Sequence, residues 1–314
     1  MLFDPEKDVA NSEAYIRDNI EATETLIVAM ISENVPYLVY LGDTYANLEV
    51  EENYGLSEDN FSGIPKTFLT GEYGETKIRG EIFARKSVGR KLANGDEILK
   101  AVFPRSTFVY GEGDAKMMET FLAVCQRHQG CIPFFEGSSR GMFQYIYAGN
   151  LAGYLECCMN TLMFEPERCN GDYFYCMEDT KATKINEFFA PMLEAAGHSF
   201  VPAAGSWYLT FLSTFIYEFK EKIFGKTFKT IGKEFSRCAL RFLFAYGYGF
   251  SNRKQQLTMD YRPEFTQSDG IKRTARWISA NFGGEQKIVE TRCNIKVLDK
   301  LSEIRYDENV LRMG

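Results

Sequence analysis

Apolar and polar positions along the first third of the chain fall into alternating helical and strand patterns. Over residues 12–34, Ile16, Ile20, Thr23, Ile27, Met30 and Ile31 recur near helical spacing, which predicts a helix. A Pro-marked turn follows, and then Tyr37-Leu38-Val39-Tyr40-Leu41 has too few polar positions for a half-exposed strand. Such a run predicts a buried parallel strand over 36–41, ended by Gly42. Residues 47–72 are polar, carry Gly55, Gly63, Pro65 and Gly71, and predict a long loop. Residues 73–94 predict a Lys/Arg-rich helix ended by Gly95, and ILKAVFPRSTFVYG a second strand running into a loop. Helix, strand, loop, helix and strand in this order imply an α/β fold, a parallel sheet with crossover helices.

After Gly111 the pattern loosens. A helix is predicted over 115–128, a short strand and then a helix in FQYIYAGNLAGYLECCMNTLM, an apolar strand in GDYFYCMED and a helix near 184–196. A polar connection from Asn252 leads to a last helix, and Gly283-Gly284 opens a polar tail. No internal repeat or low-complexity segment interrupts this order.

Composition narrows the function. The 314 residues are 45% apolar, 25% charged and 15% aromatic, a globular balance with length enough for a real core. A net charge of −7 makes the whole chain a poor polyanion binder and argues against a nucleic-acid partner. His128 and His198 stand far apart and cannot by themselves build a multi-histidine metal site. The eight cysteines form no CxxC, and the acidic start MLFDPEKDVANSEAY has no apolar signal-peptide core, so reduced thiols in a cytosol-facing protein are expected. No uninterrupted apolar run is long enough to span a bilayer. Residues 207–219 and 235–250 are aromatic-rich and flank a basic linker, a local surplus of Lys and Arg in an acidic chain. Two readings fit that segment: helices lying on an anionic membrane surface, or a lid buried against the core.

Several strings then recur in a familiar order. Asn19-Ile20-Glu21-Ala22-Thr23 looks like an N-V-x-G-T helix start, and PYLVYLGDTYA like an F-V-Y-T-S-S strand end. YGETK supplies Tyr-x-x-x-Lys as Tyr73 and Lys77, and RSTFVYGEGD resembles R-P-x-x-I-Y-G-x-G-D with Ser106 for Pro. FQYIYAGNLAGYL, GDYFYCMED and LTMDYRPEFTQSDGIKRTARWI continue the series to about Ile278. Together they resemble the 3β-hydroxysteroid dehydrogenase/isomerase family of extended short-chain dehydrogenase/reductases, akin to the NAD-dependent epimerases and dehydratases. The resemblance implies a partial Rossmann-like parallel sheet lacking its first strands over 1–110, a smaller mixed α/β substrate part over 111–282 and a polar tail over 283–314. It also implies an oxidoreductase that takes NAD or NADP as hydride acceptor and a steroid or related apolar alicyclic alcohol as substrate. A homo-oligomer is compatible with it, and the resemblance implies a cytoplasm-facing protein associated with endoplasmic reticulum or mitochondrial membranes.

Oxidising a secondary alcohol requires a base for the hydroxyl proton. A phenol with a pKa near ~10 is a poor base at neutral pH, but a lysine one helical turn on lies on the same face and favours the phenolate. By resemblance Tyr73 is the acid/base, and Lys77 both tunes it and bonds the nicotinamide ribose, with Leu41, Gly42 and Ser106 also at the cofactor. The family's serine at the preceding strand end is here Asp43. A carboxylate there raises the tyrosine's pKa instead of lowering it. Thr44 could supply the hydroxyl, although one step along a strand turns a side chain to the other face.

A second departure concerns the phosphates. None of the 26 glycines forms G-x-G-x-x-G or G-x-x-G-x-x-G, the turn whose amides meet a pyrophosphate at a helix start. Roughly three βα units of about 30 residues each, which the family carries before this point, are not expected here. An N-terminally truncated chain that binds NAD poorly is the expectation. The alternatives are an impaired pseudoenzyme, a membrane-surface binding protein, or a fragment.

Overall fold

The computed structural model describes residues 12–51, 53–60, 64–134, 141–202 and 241–283. The chain opens with α1 (Ser12–Tyr15), a π-helical stretch over Ile16–Glu21 and α2 (Ala22–Ser32), which continue one another. Then come β1 (Tyr37–Val39) and β2 (Gly42–Asp43), a 3₁₀ turn over Thr44–Asn47 and β3 (Asn53–Leu56). Helix α3 (Gly71–Ser87) leads to β4 (Lys100–Ser106) and β5 (Phe108–Tyr110).

Beyond these lie α4 (Ala115–Arg127), β6 (Cys131–Phe134), β7 (Met142–Phe143), β8 (Tyr145–Tyr147) and α5 (Ala148–Phe164). The remaining elements are β9 (Tyr173–Cys176), β10 (Thr183–Lys184), α6 (Ile185–Ala195), β11 (Ser199–Pro202), β12 (Tyr248–Phe250), α7 (Arg253–Met259) and α8 (Gln267–Phe282).

The central sheet is parallel, as expected. β4 pairs on one side with β1 (Leu38 opposite Ala101) and then β2 (Asp43 opposite Ser106), and on the other with β9 (Arg105 opposite Tyr175). β4 is buried from Ala101 to Ser106 because both faces are covered. The pleat sends alternate residues to opposite cores. Ala101, Phe103, Tyr173 and Tyr175 join Ile27, Met30 and Ala84 of α2 and α3. Val102, Phe174 and Cys176 join Leu151, Tyr154 and Cys158 of α5. A second parallel pair, β5 with β8, extends from the C-terminal end of β4, and β6 pairs with β11 beside α4 and α6.

Three expectations change. The loop predicted for 47–72 contains β3, which pairs in parallel with β12 nearly two hundred positions later in the sequence. Helix α3 ends at Ser87, not Gly95, because Gly89 takes φ +83 and the chain reverses, with Lys91 bridging Ile98. The strand predicted as buried over 36–41 is half-buried, is cut after Val39 with Leu41 exposed, and resumes as β2, which places Asp43 inside the sheet.

Residues 203–240, which include most of the proposed membrane-contacting segment, and the tail 284–314 lie outside the described residues. The described end of the aromatic segment is core: Phe242, Tyr248 and Phe250 are buried, and each ring lies edge-on to Tyr45 at 5.3–5.6 Å. Among the described residues no helix is long and apolar enough to cross a membrane, and no acidic, His or Cys cluster could hold a metal ion.

Candidate active site

The site is built where α3 crosses the C-terminal end of the sheet. Helix α3 approaches very closely, and its glycines allow this. A Cβ on Gly74 would collide with Thr70 and the Ala46 carbonyl, and one on Gly80 with the Asn19 carbonyl. Asn19 Nδ2 donates to Thr76 Oγ1 at 2.9 Å across the same contact. Further along the helix, Arg105 of β4 forks onto Glu81 of α3, with Nε–Oε2 2.9 Å and Nη2–Oε1 2.7 Å, and both side chains are almost wholly buried. The planar fork matches a carboxylate with two charge-assisted bonds. Gly42 lies against this pair, since a Cβ there would be 3.0 Å from Glu81 Oε2 and 3.1 Å from Arg105 Cγ.

Tyr73, Lys77 and Glu81 are spaced one turn apart on α3, so fixing Glu81 aims the other two at β2. Tyr73 donates its hydroxyl hydrogen to Asp43 Oδ2 at 2.8 Å. Asp43 Oδ1 accepts from the Tyr45 amide at 2.8 Å, capping the 3₁₀ turn that follows β2. Lys77 Nζ stands 6.0 Å from the centre of the Tyr73 ring. The electrostatics follow from this geometry. Burial pushes the Asp43 carboxyl above its ordinary value, partly offset by the Tyr73 hydroxyl, the Tyr45 amide and the Lys77 charge. Burial, then the Asp43 charge and hydrogen bond, hold the Tyr73 phenol far above its ordinary value. The lysine therefore does not bring the phenol toward neutrality, because the carboxylate beside it acts in the opposite sense.

These groups close one end of a cavity of about 590 Å³. Leu41, Gly42, Asp43, Tyr73, Lys77 and Ser106 all line it. Thr44 does not: its hydroxyl donates to the Arg105 carbonyl at 2.7 Å and is buried away from the cavity, as strand alternation requires. The other end is a wall of Met117, Phe121, Ile132, Phe189, Phe200 and Leu243. Sequence reasoning missed that wall, which is assembled from α4, β6, α6, β11 and the segment before β12, and it missed the Glu81–Arg105 fork. The fork left a signal, an acidic residue one turn beyond Tyr73-x-x-x-Lys77, whereas the wall left none.

Residues 4–203 match the 3-beta hydroxysteroid dehydrogenase/isomerase family as a whole. The chain belongs to that family. It is 24% identical over 205 residues to short-chain dehydrogenase/reductase family 42E member 1 of Xenopus laevis, covering 64% of this chain and 52% of that one. The chain thus spans about half the length of that relative. It is also 24% identical over 270 residues to the decarboxylating sterol-4-alpha-carboxylate 3-dehydrogenase erg26 of Schizosaccharomyces pombe, covering 84% of this chain and 72% of that one. The fold is shared with a dTDP-glucose 4,6-dehydratase of Streptomyces venezuelae solved with NAD, at TM-score 0.57 and 15% identity over 90% of this chain and 71% of that one. It is shared as well with MoeE5 in complex with UDP-glucose and NAD, at TM-score 0.58 and 16% identity over 86% and 74%. The Rossmann-like α/β fold and the family expected from the motifs are therefore those found.

Family membership implies a nicotinamide cofactor. The donor set at the Tyr73 end suits a nicotinamide ribose, with an ammonium, a phenol and the Ser106 hydroxyl on one wall. No glycine-rich turn opening a helix meets the cavity among the described residues. The starts of α4, α5 and α6 all reach it, through Asp114, Ala148 and Lys184–Asn186. That of α4 is already capped by Asp114, whose carboxylate accepts from the Met117 amide at 3.0 Å, with Glu112 beside it, so a phosphate would meet negative charge at α4. The residues whose chemistry fits the cofactor are those at its nicotinamide-ribose end.

Proposed function

We propose that this site oxidises the secondary hydroxyl of a steroid or related alicyclic alcohol, with NAD or NADP held at its nicotinamide ribose by Tyr73, Lys77, Leu41, Gly42 and Ser106. The observation that carries this reading is the convergence of Tyr73, Lys77 and Asp43 at the polar end of a largely apolar cavity of about 590 Å³. A nicotinamide supplies a hydride acceptor when bound. The chain's own residues do the rest. Phe121, Phe189, Phe200 and Leu243 exclude water and take the apolar rings, leaving the hydroxyl to point at Tyr73. Tyr73 meets the substrate oxygen and handles its proton, and Lys77 holds its ammonium 6.0 Å from the centre of that ring, at the same end of the cavity.

The names of the Schizosaccharomyces pombe relative and of the family favour a sterol nucleus bearing a 3β-hydroxyl. Incubation of the purified protein with NAD or NADP and a panel of 3β-hydroxysteroids tests the reading. Formation of ketosteroid and reduced nicotinamide in equal amounts is expected, with NAD and NADP compared directly. Steroid binding without any turnover would replace it with a second reading, a pseudoenzyme that keeps the substrate cavity. The carboxylate bonded to Tyr73 favours that second reading.

A further inference from the structure

Asp43 is the feature of this site that the alcohol-oxidation chemistry leaves unexplained. It faces the cavity from the end of β2, and no other carboxylate is hydrogen-bonded to Tyr73 among the described residues. Its two oxygens have different tasks. Oδ1 is held by the Tyr45 amide, which fixes the carboxylate plane, and Oδ2 receives the Tyr73 hydroxyl hydrogen. The phenol oxygen consequently has its own proton directed away from any substrate and its lone pairs left to accept one.

We propose that Asp43 is the proton acceptor of this site and Tyr73 its relay. The inference rests on the function proposed above. In the oxidising direction the substrate O–H bond breaks and an O–H bond forms at Tyr73 Oη. In the same step the original Tyr73 O–H bond breaks and one forms at Asp43 Oδ2. The hydride on the alcohol carbon is the part left for the oxidised nicotinamide. Asp43 ends neutral, Tyr73 ends as it began, and no phenolate has to exist at any stage.

The surroundings agree with this assignment. A phenol raised by burial and by an adjacent carboxylate cannot serve as a free base near neutral pH, whereas a carboxylate can. Among the described residues, the charged and titratable groups around Asp43 are few. Tyr73 and Lys77 face it from α3, and Tyr45 follows it in the 3₁₀ turn, its phenol pushed up first by burial and then by the Asp43 charge. Tyr15 lies 5.9 Å from the Tyr73 ring. Glu81 and Arg105, behind Gly42, neutralise one another and leave Asp43 as the available acceptor.

The experiment compares wild type with Asp43→Ser, which replaces the carboxylate with a hydroxyl, and uses Tyr73→Phe as the reference for assignment. The ionisation of Tyr73 is followed by the carbon chemical shift of its labelled ring, and the pH dependence of kcat/KM for 3β-hydroxysteroid oxidation is measured in parallel. In wild type, Tyr73 stays protonated across the working range and the acid limb of the profile follows a carboxyl. In Asp43→Ser, Tyr73 ionises at lower pH than in wild type. The acid limb moves to higher pH by more than one unit, because the base is then the phenol. A limb that stays in place, or a Tyr73 signal indifferent to the substitution, would overturn the relay and leave alcohol oxidation standing. Absence of any turnover in wild type would bring down both.

Discussion

Two contacts tie helix α3 to the sheet, and they differ in charge. Glu81 and Arg105 bring one negative and one positive group together, buried and paired through two hydrogen bonds. One turn beyond Lys77 in the other direction, Tyr73 and Asp43 bring together a neutral donor and a group that can be negative. The first pair balances its charges. The second has a proton that two oxygens can share, which is what acid–base chemistry needs. Gly42 and Asp43, adjacent in β2, touch one pair each, so the structural tie and the chemical tie are set by neighbouring residues.

This contrast is broken most severely at its structural half. Glu81→Ala leaves the Arg105 guanidinium buried without its partner, and removal of one member of a buried pair typically costs about 3–5 kcal/mol. Chemical denaturation of the variant should show that loss, with turnover falling alongside it; an unchanged midpoint would mean the fork carries no structural burden. The chemical half behaves otherwise. Tyr73→Phe should lower kcat for alcohol oxidation by about 10²–10⁴-fold, the usual worth of a positioned acid–base group. The fold should stay intact by circular dichroism. Turnover within a factor of a few of wild type would show that Tyr73 does not handle the proton.

Much of this architecture is legible in the sequence, and the rest is hidden for identifiable reasons. The cores of β4 and β9 are readable because strands covered on both faces are rich in apolar residues, whereas the equally apolar β1 is only half-buried. Tyr73, Lys77 and Asp43 are readable from motif order, and the fold brings them together at one cavity. β3 is not readable: its ladder partner, β12, lies far along the chain, and the stretch Asn53–Leu56 is only four residues long and contains a glycine. The early end of α3 depends on a glycine in a left-handed turn, while the more distant Gly95 offered an equally good stop signal. The apolar wall of the cavity is a tertiary assembly of Met117, Phe121, Ile132, Phe189 and Phe200, and no local spacing announces it.

Smaller effects sharpen the comparison. Thr44→Val removes the hydroxyl that donates to the Arg105 carbonyl, so stability should fall by about 1 kcal/mol, the net worth of one such bond. The kcat of this variant should match wild type, since Thr44 is turned away from the cavity. A tenfold drop would restore Thr44 as the site's hydroxyl.

The smallest effect is on pH dependence. The Asp43 carboxyl is raised in the folded state, so the fold binds its proton more tightly than the unfolded chain does. Its contribution is fully present below the ordinary carboxyl value of about 3.9 and is lost as pH rises through the higher folded value. Asp43→Asn should therefore flatten the stability curve on the mildly acidic side, measured by denaturation at stepped pH. A variant whose curve runs parallel to wild type would show that Asp43 titrates as it would in water.

The most direct test is a crystal structure with a 3-ketosteroid, the product of the proposed oxidation. The ketone oxygen should lie within about 2.6–3.2 Å of Tyr73 Oη, hydrogen-bond reach for a proton-transferring group. Asp43 should still be bonded to that hydroxyl, and the rings should rest on Phe121, Phe189 and Phe200. A steroid bound with its oxygen at the apolar wall, or Tyr73 turned out of the cavity, would contradict the account.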